Sequence, residues 1–200
     1  MNLPKTIIVM GRSGSGKGTQ IELLKNAYLK NNAENTILHY EAGNVFREII
    51  QSGSYTGGLI KNATETGILV PDFVTNGVFV SRMVEHMNTK DQLLIFDGYP
   101  RSCAQADVLD ETLKYYGRTH AVVLHIDVSE EEVRNRMALR GRYDDAQTEV
   151  LENRMRFYRE HVLPTLERYR DQDFYTVIDV NGEGDVDEIH HEIMEKLASA

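Results

Sequence analysis

The stretch Met10–Thr19 reads Met-Gly-Arg-Ser-Gly-Ser-Gly-Lys-Gly-Thr, and no other part of the chain restricts its fold as strongly. It follows the apolar run Ile7-Ile8-Val9 and precedes a helical-looking segment from Gln20. Gly11, Gly16 and Lys17 have the spacing of a phosphate-binding P-loop. Glycines admit positive φ and leave room for phosphate oxygens against the backbone. The amides of Gly14, Ser15, Gly16, Gly18 and Thr19 can then form an anion nest at a helix N-terminus. Lys17 adds a mobile positive charge for the β- and γ-phosphates. A glycine-rich stretch alone is weak evidence; strand, loop, lysine and helix in this order are specific.

The bulk properties limit the rest. Two hundred residues suffice for one core with small inserted lobes. No apolar run approaches membrane-spanning length. Met1–Thr6 leads directly into a strand, so no signal peptide is expected. Cys103 is the single cysteine, which excludes an internal disulfide and a zinc cluster and favours a cytoplasmic setting. The formal net charge of −9 argues against a general nucleic-acid binder. The charge is nevertheless uneven: Arg134, Arg136, Arg140, Arg142, Arg154, Arg156 and Arg159 crowd one segment. They form either a solvated helix surface paired with Glu130, Glu131 and Glu152 or a local phosphate trap.

Short apolar runs at Thr6–Met10, Thr36–His39, Leu93–Phe96, Ala121–Ile126 and Tyr175–Ile178 read as buried parallel strands. Helical patterns lie between them at Gly18–Lys30, Gly43–Gln51, Asp72–Met87, Ala104–Tyr116, Glu130–Leu139, Thr148–Tyr169 and Val186–Ala198. This alternation predicts a doubly wound α/β sheet with right-handed crossovers and a ligand at the carboxyl ends of the strands. Ser129 with Glu132 predicts a capping box, Pro71 suits a first helical turn, and Pro164 should kink the long helical pattern. Two stretches look like excursions from the core: the glycine-rich Gly43–Val70 and the very short Arg140–Asp145.

Leu93-Leu94-Ile95-Phe96-Asp97 is an apolar strand ending in a carboxylate. Beside a P-loop, Asp97 is placed to hold Mg²⁺ directly or through water. Gly98-Tyr99-Pro100-Arg101 follows as a sharp turn that keeps a guanidinium near the same strand ends, where it could grip phosphate. Ser102-x-x-Gln105 is equally readable as a capping box and as a base-reading amide.

The position after Lys17, where most P-loops carry a Mg²⁺-ligating Ser or Thr, is Gly18. Gly-Lys-Gly-Thr-Gln resembles the nucleoside monophosphate kinases. Gly-Tyr-Pro-Arg with Gln105 four residues beyond Arg101 resembles the adenylate kinase signature. Gly43-Asn44-Val45-Phe46-Arg47 is similar to the family's acceptor helix, with Ala42 before its glycine. Gly67-Ile68-Leu69-Val70-Pro71 is similar to the segment beside the acceptor base. Arg140, Arg142-Tyr143-Asp144-Asp145 and Arg154 resemble the lid and the helix after it. Val180-Asn181-Gly182-Glu183-Gly184 resembles the late loop at the ATP adenine. These motifs occur in family order from Met10 to Gly184.

The resemblance implies a single P-loop kinase domain over residues 1–200, with a five-stranded parallel sheet, a small helical acceptor-binding lobe over 42–71 and a minimal lid over 140–145. It implies reversible transfer of the γ-phosphoryl group of ATP to AMP with Mg²⁺, by a cytoplasmic monomer without nucleic-acid or membrane partners. Lys17, Arg101, Arg140, Arg142, Arg154 and Asp97 would be catalytic, Asp97 acting on Mg²⁺ through water. Gly14–Thr19, Arg140 and Gly184 would hold ATP. Ala42, Arg47, Ile68, Leu69, Val70, Gly98, Tyr99, Pro100, Arg101, Gln105, Arg142 and Arg154 would hold AMP. Only Gly141 separates Arg140 from Arg142, so the lid cannot bind zinc, and the Arg142–Arg154 spacing is one residue longer than usual in the family. Ala42 is common in uridylate/cytidylate kinases, which leaves those acceptors as an alternative. A third reading is a nucleotide-binding sensor of the same fold.

Overall fold

The computed structural model describes residues 3–31, 36–140 and 148–200. Five strands, β1 (Thr6–Met10), β2 (Ile37–Glu41), β3 (Leu93–Asp97), β4 (Ala121–Asp127) and β5 (Tyr175–Asn181), form one sheet in the order β2-β3-β1-β4-β5. All four pairings are parallel. The doubly wound five-stranded fold expected from the alternation is therefore present, with β1 at its centre.

Successive strand residues point to opposite faces. Ile8, Met10, Leu94, Phe96 and Val123 enter one buried cluster, while Ile7, Val9, Ile95, Val122 and Leu124 enter the other. Both faces are covered, which is why these strands read as continuous apolar runs. One face carries α2 (Ala42–Gln51), α4 (Asp72–His86), α5 (Cys103–Tyr115) and α8 (Leu163–Arg170); the other carries α1 (Lys17–Asn31), α6 (Glu130–Arg140) and α9 (Val186–Ser199).

The helix α3 (Tyr55–Glu65) lies in the glycine-rich excursion, where the helical patterns name only Gly43–Gln51 although the resemblance implies a helical lobe. Gly57 and Gly58 hide it in the sequence. Ser54 caps it, its Oγ accepting from the Gly57 amide at 3.0 Å. A Cβ on Gly57 would stand 2.4 Å from the Ile49 carbonyl oxygen, so this glycine sets how closely α3 packs on α2.

Three local expectations need correction. Ser129 Oγ accepts from the Glu132 amide at 3.2 Å, but the Ser129 amide donates to Glu183 at 2.7 Å rather than to Glu132. Glu132 instead takes Arg136 at 2.6 Å, so only half of the capping box forms. Pro71 is the N-cap of α4 and not its first helical residue. The long helical pattern divides into α7 (Thr148–Phe157), a π-helical segment (Tyr158–Val162) and α8. The wider π turn precedes Pro164, whose ring lacks an N–H and would crowd the carbonyl four residues back in a regular α-helix.

Candidate active site

The carboxyl ends of the central strands bring the chemistry together. Parallel register aligns Val9 with Asp97 and Asp97 with Glu41, so the P-loop begins beside Asp97, with Glu41 one strand further out. Gly11, Gly14 and Gly16 have φ of 147°, 86° and 93°. A Cβ at Gly11 would fall 2.4 Å from the Ile126 carbonyl oxygen, which forbids any side chain there. Lys17 Nζ donates to the carbonyls of Gly11 and Arg12 at 3.0 and 2.8 Å, bending its stem back over the loop. Ser15 is buried and its Oγ has no hydrogen-bond partner among the described residues. Such an orphaned donor inside an amide-lined loop fits an anion.

A cleft of about 710 Å³ opens on this edge. Lys17 lies on one wall, Arg47 and residues 67–70 on another, and Arg101, Gln105 and Arg154 close it. Five cations from α1, α2, α3, the turn after β3 and α7 thus line one cavity, Lys61 being the one the sequence reading missed, although 137 positions separate Lys17 from Arg154 in the chain.

Each arginine is placed by a local cause. Arg47 donates to Glu41 at 2.9 Å and also to Asn44; Gly43, just inside α2, leaves room for the guanidinium, which a Cβ would approach to 3.3 Å. Gly98, at φ 71°, turns the chain so that Arg101 folds back over it; a Cβ there would meet the Arg101 guanidinium at 2.7 Å. The close packing around Arg101 draws its pKa down, and Arg154 adds repulsion, while Asp97 acts in the opposite direction. Its surface is still open to the cleft, and a guanidinium keeps its charge throughout the physiological range. Arg154 projects from α7 into the cleft despite the longer spacing behind it.

Gln105 is fully buried and borders the cleft. Its Oε1 accepts from the Arg101 amide at 2.8 Å and its Nε2 donates to Asp72 Oδ1 at 2.8 Å. Ser102 Oγ caps α5 by accepting from the Gln105 amide at 3.2 Å, and donates to the same Asp72 oxygen at 3.0 Å. The cap and the amide contacts therefore coexist. An amide has two lone pairs and two N–H groups, so one of each remains for a ligand.

The remaining sequence-predicted residues divide clearly. Ile68, Leu69, Val70, Gly98 and Pro100 line the cleft. Ala42, the first residue of α2, is 1% exposed and is not among the residues that line the cleft, although Gly43 is. Tyr99 is also buried: its ring stacks on Phe79 at 4.1 Å, and its hydroxyl lies 2.9 Å from Asn76 Oδ1 and 3.1 Å from the Gln105 carbonyl. It supports the wall without facing the cavity. Of the expected ATP-binding residues Lys17 lines the cleft, while Gly14, Ser15, Gly16, Gly18 and Thr19 form the loop and first turn of α1 without lining it. A Cβ on Gly18 would meet nothing, so no steric demand explains the missing hydroxyl there. Gly184 has φ 144° in the turn after β5. Arg142, Asp144 and Asp145, with the 141–147 segment, lie outside the described residues, and of Arg140 the backbone alone is described.

The arginine crowd splits in two. Arg134 pairs with Glu152 at 2.6 Å, Arg159 pairs with Glu130, and Arg156 donates to Asn153 at 2.8 Å, as a solvated helix surface would. Arg154 instead faces the cleft. Arg136, counted before only as one of the crowd, donates to the Gly182 carbonyl at 2.8 Å and lies 3.8 Å from where a Gly16 Cβ would be. It joins the P-loop to the β5–α9 turn. The available signal was its position four residues before Arg140, on the same face of a helix.

No group of three or more His, Cys, Asp or Glu side chains suited to a metal occurs among the described residues. Asp97 ends the strand beside the P-loop strand, with Glu41 aligned on its other side. That arrangement fits Mg²⁺ retained chiefly by its own waters and by substrate phosphates, its usual manner of binding.

The adenylate kinase family model matches residues 9–174. An adenylate kinase of Oenococcus oeni is 34% identical over 90% of this chain and 92% of its own. One from Nocardia farcinica is 36% identical over 96% and 98%, and one from Prochlorococcus marinus is 32% identical over 98% and 100%. With the motifs in family order, the P-loop sheet and the cationic cleft already in place, this similarity shows that the chain belongs to the adenylate kinase family.

Proposed function

We propose that the cleft carries out the reversible reaction ATP + AMP = 2 ADP. The observation that carries this reading is the convergence of Lys17, Arg47, Arg101 and Arg154 on a cavity that Gln105 and the apolar residues 68–70 also line. Two phosphate chains and one base would occupy such a space. An oxygen of the AMP phosphate attacks the γ-phosphorus of ATP, a new P–O bond forms, and the bond to the β–γ bridging oxygen breaks. The electron pair leaves with ADP.

The residues act by position and charge. Gly14–Thr19 hold the donor phosphates, and Lys17 follows the migrating group. Arg47 and Arg101 grip the acceptor phosphate. Arg154, with Arg140 and Arg142, meets charge as it spreads over the transferred oxygens. Asp97 would hold Mg²⁺ through water, and the ion bound with ATP would supply positive charge to the donor phosphates. Gln105 offers its spare N–H and lone pair to the ring nitrogen and amino group of adenine. Residues 68–70 flank the base. Arg136 and Gly184 border the donor base.

Residues 42–71 act as the acceptor lobe and 140–145 as a minimal lid. Asn153 Nδ2 donates to the Thr66 carbonyl at 2.8 Å, which joins the lobe to α7. No described helix is long and apolar enough to cross a membrane. With a formal charge of −9, the chain suits small-nucleotide substrates in the cytoplasm, as a monomer, better than nucleic acid or a membrane. The test is to incubate the protein with ADP and Mg²⁺ alone and follow the phosphorus NMR spectrum. ATP and AMP should appear in equal amounts. Release of inorganic phosphate without AMP and ATP would overturn the reading.

A further inference from the structure

His125 is an odd residue for the centre of an apolar strand, Ala-Val-Val-Leu-His-Ile-Asp, and the mechanism above leaves it unused. It is 5% exposed. Both ring nitrogens are engaged: Nδ1 lies 2.8 Å from Asp179 Oδ1 on β5, and Nε2 lies 2.8 Å from the Tyr158 hydroxyl in the π segment. A carboxylate can only accept, so Nδ1 carries the hydrogen. In the neutral ring, Nε2 then accepts from the Tyr158 O–H. Burial pushes the Tyr158 phenol up to about 12, so it remains a hydroxyl donor at neutral pH. Arg170 steadies the outer end by donating to Asp179 at 2.6 Å.

Tyr158 connects this chain to the phosphate loop. The Arg12 guanidinium carbon sits 4.4 Å from the centroid of its ring, while Arg12 Nη1 donates to Asp127 Oδ1 at 2.8 Å and to the Val128 carbonyl at 2.9 Å. Arg12 is the P-loop residue whose backbone carbonyl accepts from Lys17 Nζ. Tyr158 also lines the cleft, one helical turn after Arg154. A ring tethered at its hydroxyl cannot tilt away, so its face is a fixed platform for the Arg12 cation.

We propose that His125 is a positioning residue for the donor side of the reaction: through Tyr158 it fixes Arg12, and through the Arg12 backbone it fixes one of the two carbonyls that anchor Lys17. It touches no substrate. Its effect falls on the group that follows the migrating phosphoryl, so it governs turnover and ATP binding and leaves AMP binding alone. The sequence carries no motif for it, because the three partners come from β4, β5 and the π segment and meet only through the sheet register that aligns His125 with Asp179.

The inference rests on the phosphoryl-transfer reading for its kinetic arm only. His125→Leu, Tyr158→Phe and the double variant are compared for kcat, for the KM of AMP, and for ATP dissociation by calorimetry. Tyr158→Phe removes one oxygen atom and serves if His125→Leu does not fold. Each single variant should lower kcat about tenfold and weaken ATP several-fold, with the KM of AMP within twofold of wild type. The double variant should be no worse than either single one, because both cut the same chain. Additive losses, an effect mainly on the KM of AMP, or a Tyr158→Phe protein with wild-type kcat and ATP affinity would overturn the proposal. A wild-type protein that binds ATP without turnover would contradict the reading of function, and the calorimetric arm would still decide this one.

Discussion

Asp72 should control which bases the cleft accepts, although it does not line it. Gln105 Oε1 faces the Arg101 amide, which can only donate, and its Nε2 faces the Asp72 carboxylate, which can only accept. Turning the amide over would break both contacts at a fully buried side chain. Each unsatisfied buried group costs roughly 1–3 kcal/mol, so the turned amide lies about 2–6 kcal/mol higher. In Asp72→Asn the new side-chain amide can present either an oxygen or an NH₂ to Gln105. One of the two locks is lost, and the gap shrinks to about 1–3 kcal/mol. The assay compares kcat/KM for AMP and for inosine monophosphate, which carries a carbonyl in place of the 6-amino group and a proton on N1. The wild-type preference for AMP should fall by roughly 10- to 100-fold in the variant, since about 1.4 kcal/mol corresponds to a factor of ten. An unchanged AMP-to-inosinate ratio would refute the reasoning, even if both rates fell.

Other perturbations test other parts of the account. Arg101→Ala should lower kcat by roughly two to three orders of magnitude with an unchanged circular-dichroism spectrum, and near-normal turnover would remove Arg101 from the transition-state group. Gly57→Ala pushes a Cβ to 2.4 Å from a backbone oxygen, so α2 and α3 must move apart; thermal denaturation should show a loss of about 1–3 kcal/mol, and an unshifted melting temperature would contradict the packing. Burial, then Lys25, holds the His39 pKa below its ordinary value of 6.5. The unfolded chain therefore binds more protons between the folded pKa and 6.5, so this contribution is complete above about pH 6.5 and is lost as pH falls through that window. Urea midpoints at successive pH values should show a shallower acid-side decline in His39→Gln than in wild type, and equal slopes would count against the assignment.

Much of this architecture is legible in the sequence because the relevant signals are local. The apolar runs give the strands, since both sheet faces are covered, and the P-loop glycines announce their own backbone conformations. Arg101 is readable because Gly98 and Pro100 fix the turn before it. Other features depend on distant partners. The helix α3 is masked by glycines whose purpose, close packing on α2, exists only in the folded lobe. Ser129 pairs its amide with Glu183 because the β5–α9 turn comes near it, and Glu132 is taken by Arg136. Gln105 could be read as a cap or as a base reader; in the fold its backbone N–H is capped by Ser102, while its side-chain amide is held by the Arg101 N–H and Asp72, partners that sequence spacing does not reveal. Ala42, which suggested a pyrimidine acceptor, is buried at the start of α2 and does not line the cavity.

The most direct test of the central claim is a coupled assay of ADP formation from ATP and Mg²⁺ with AMP, UMP, CMP and GMP as parallel acceptors. The arrangement of Arg47, Arg101, Gln105 and residues 68–70 predicts clear preference for AMP. Preference for UMP or CMP, or absence of turnover with every acceptor while ATP still binds, would contradict it.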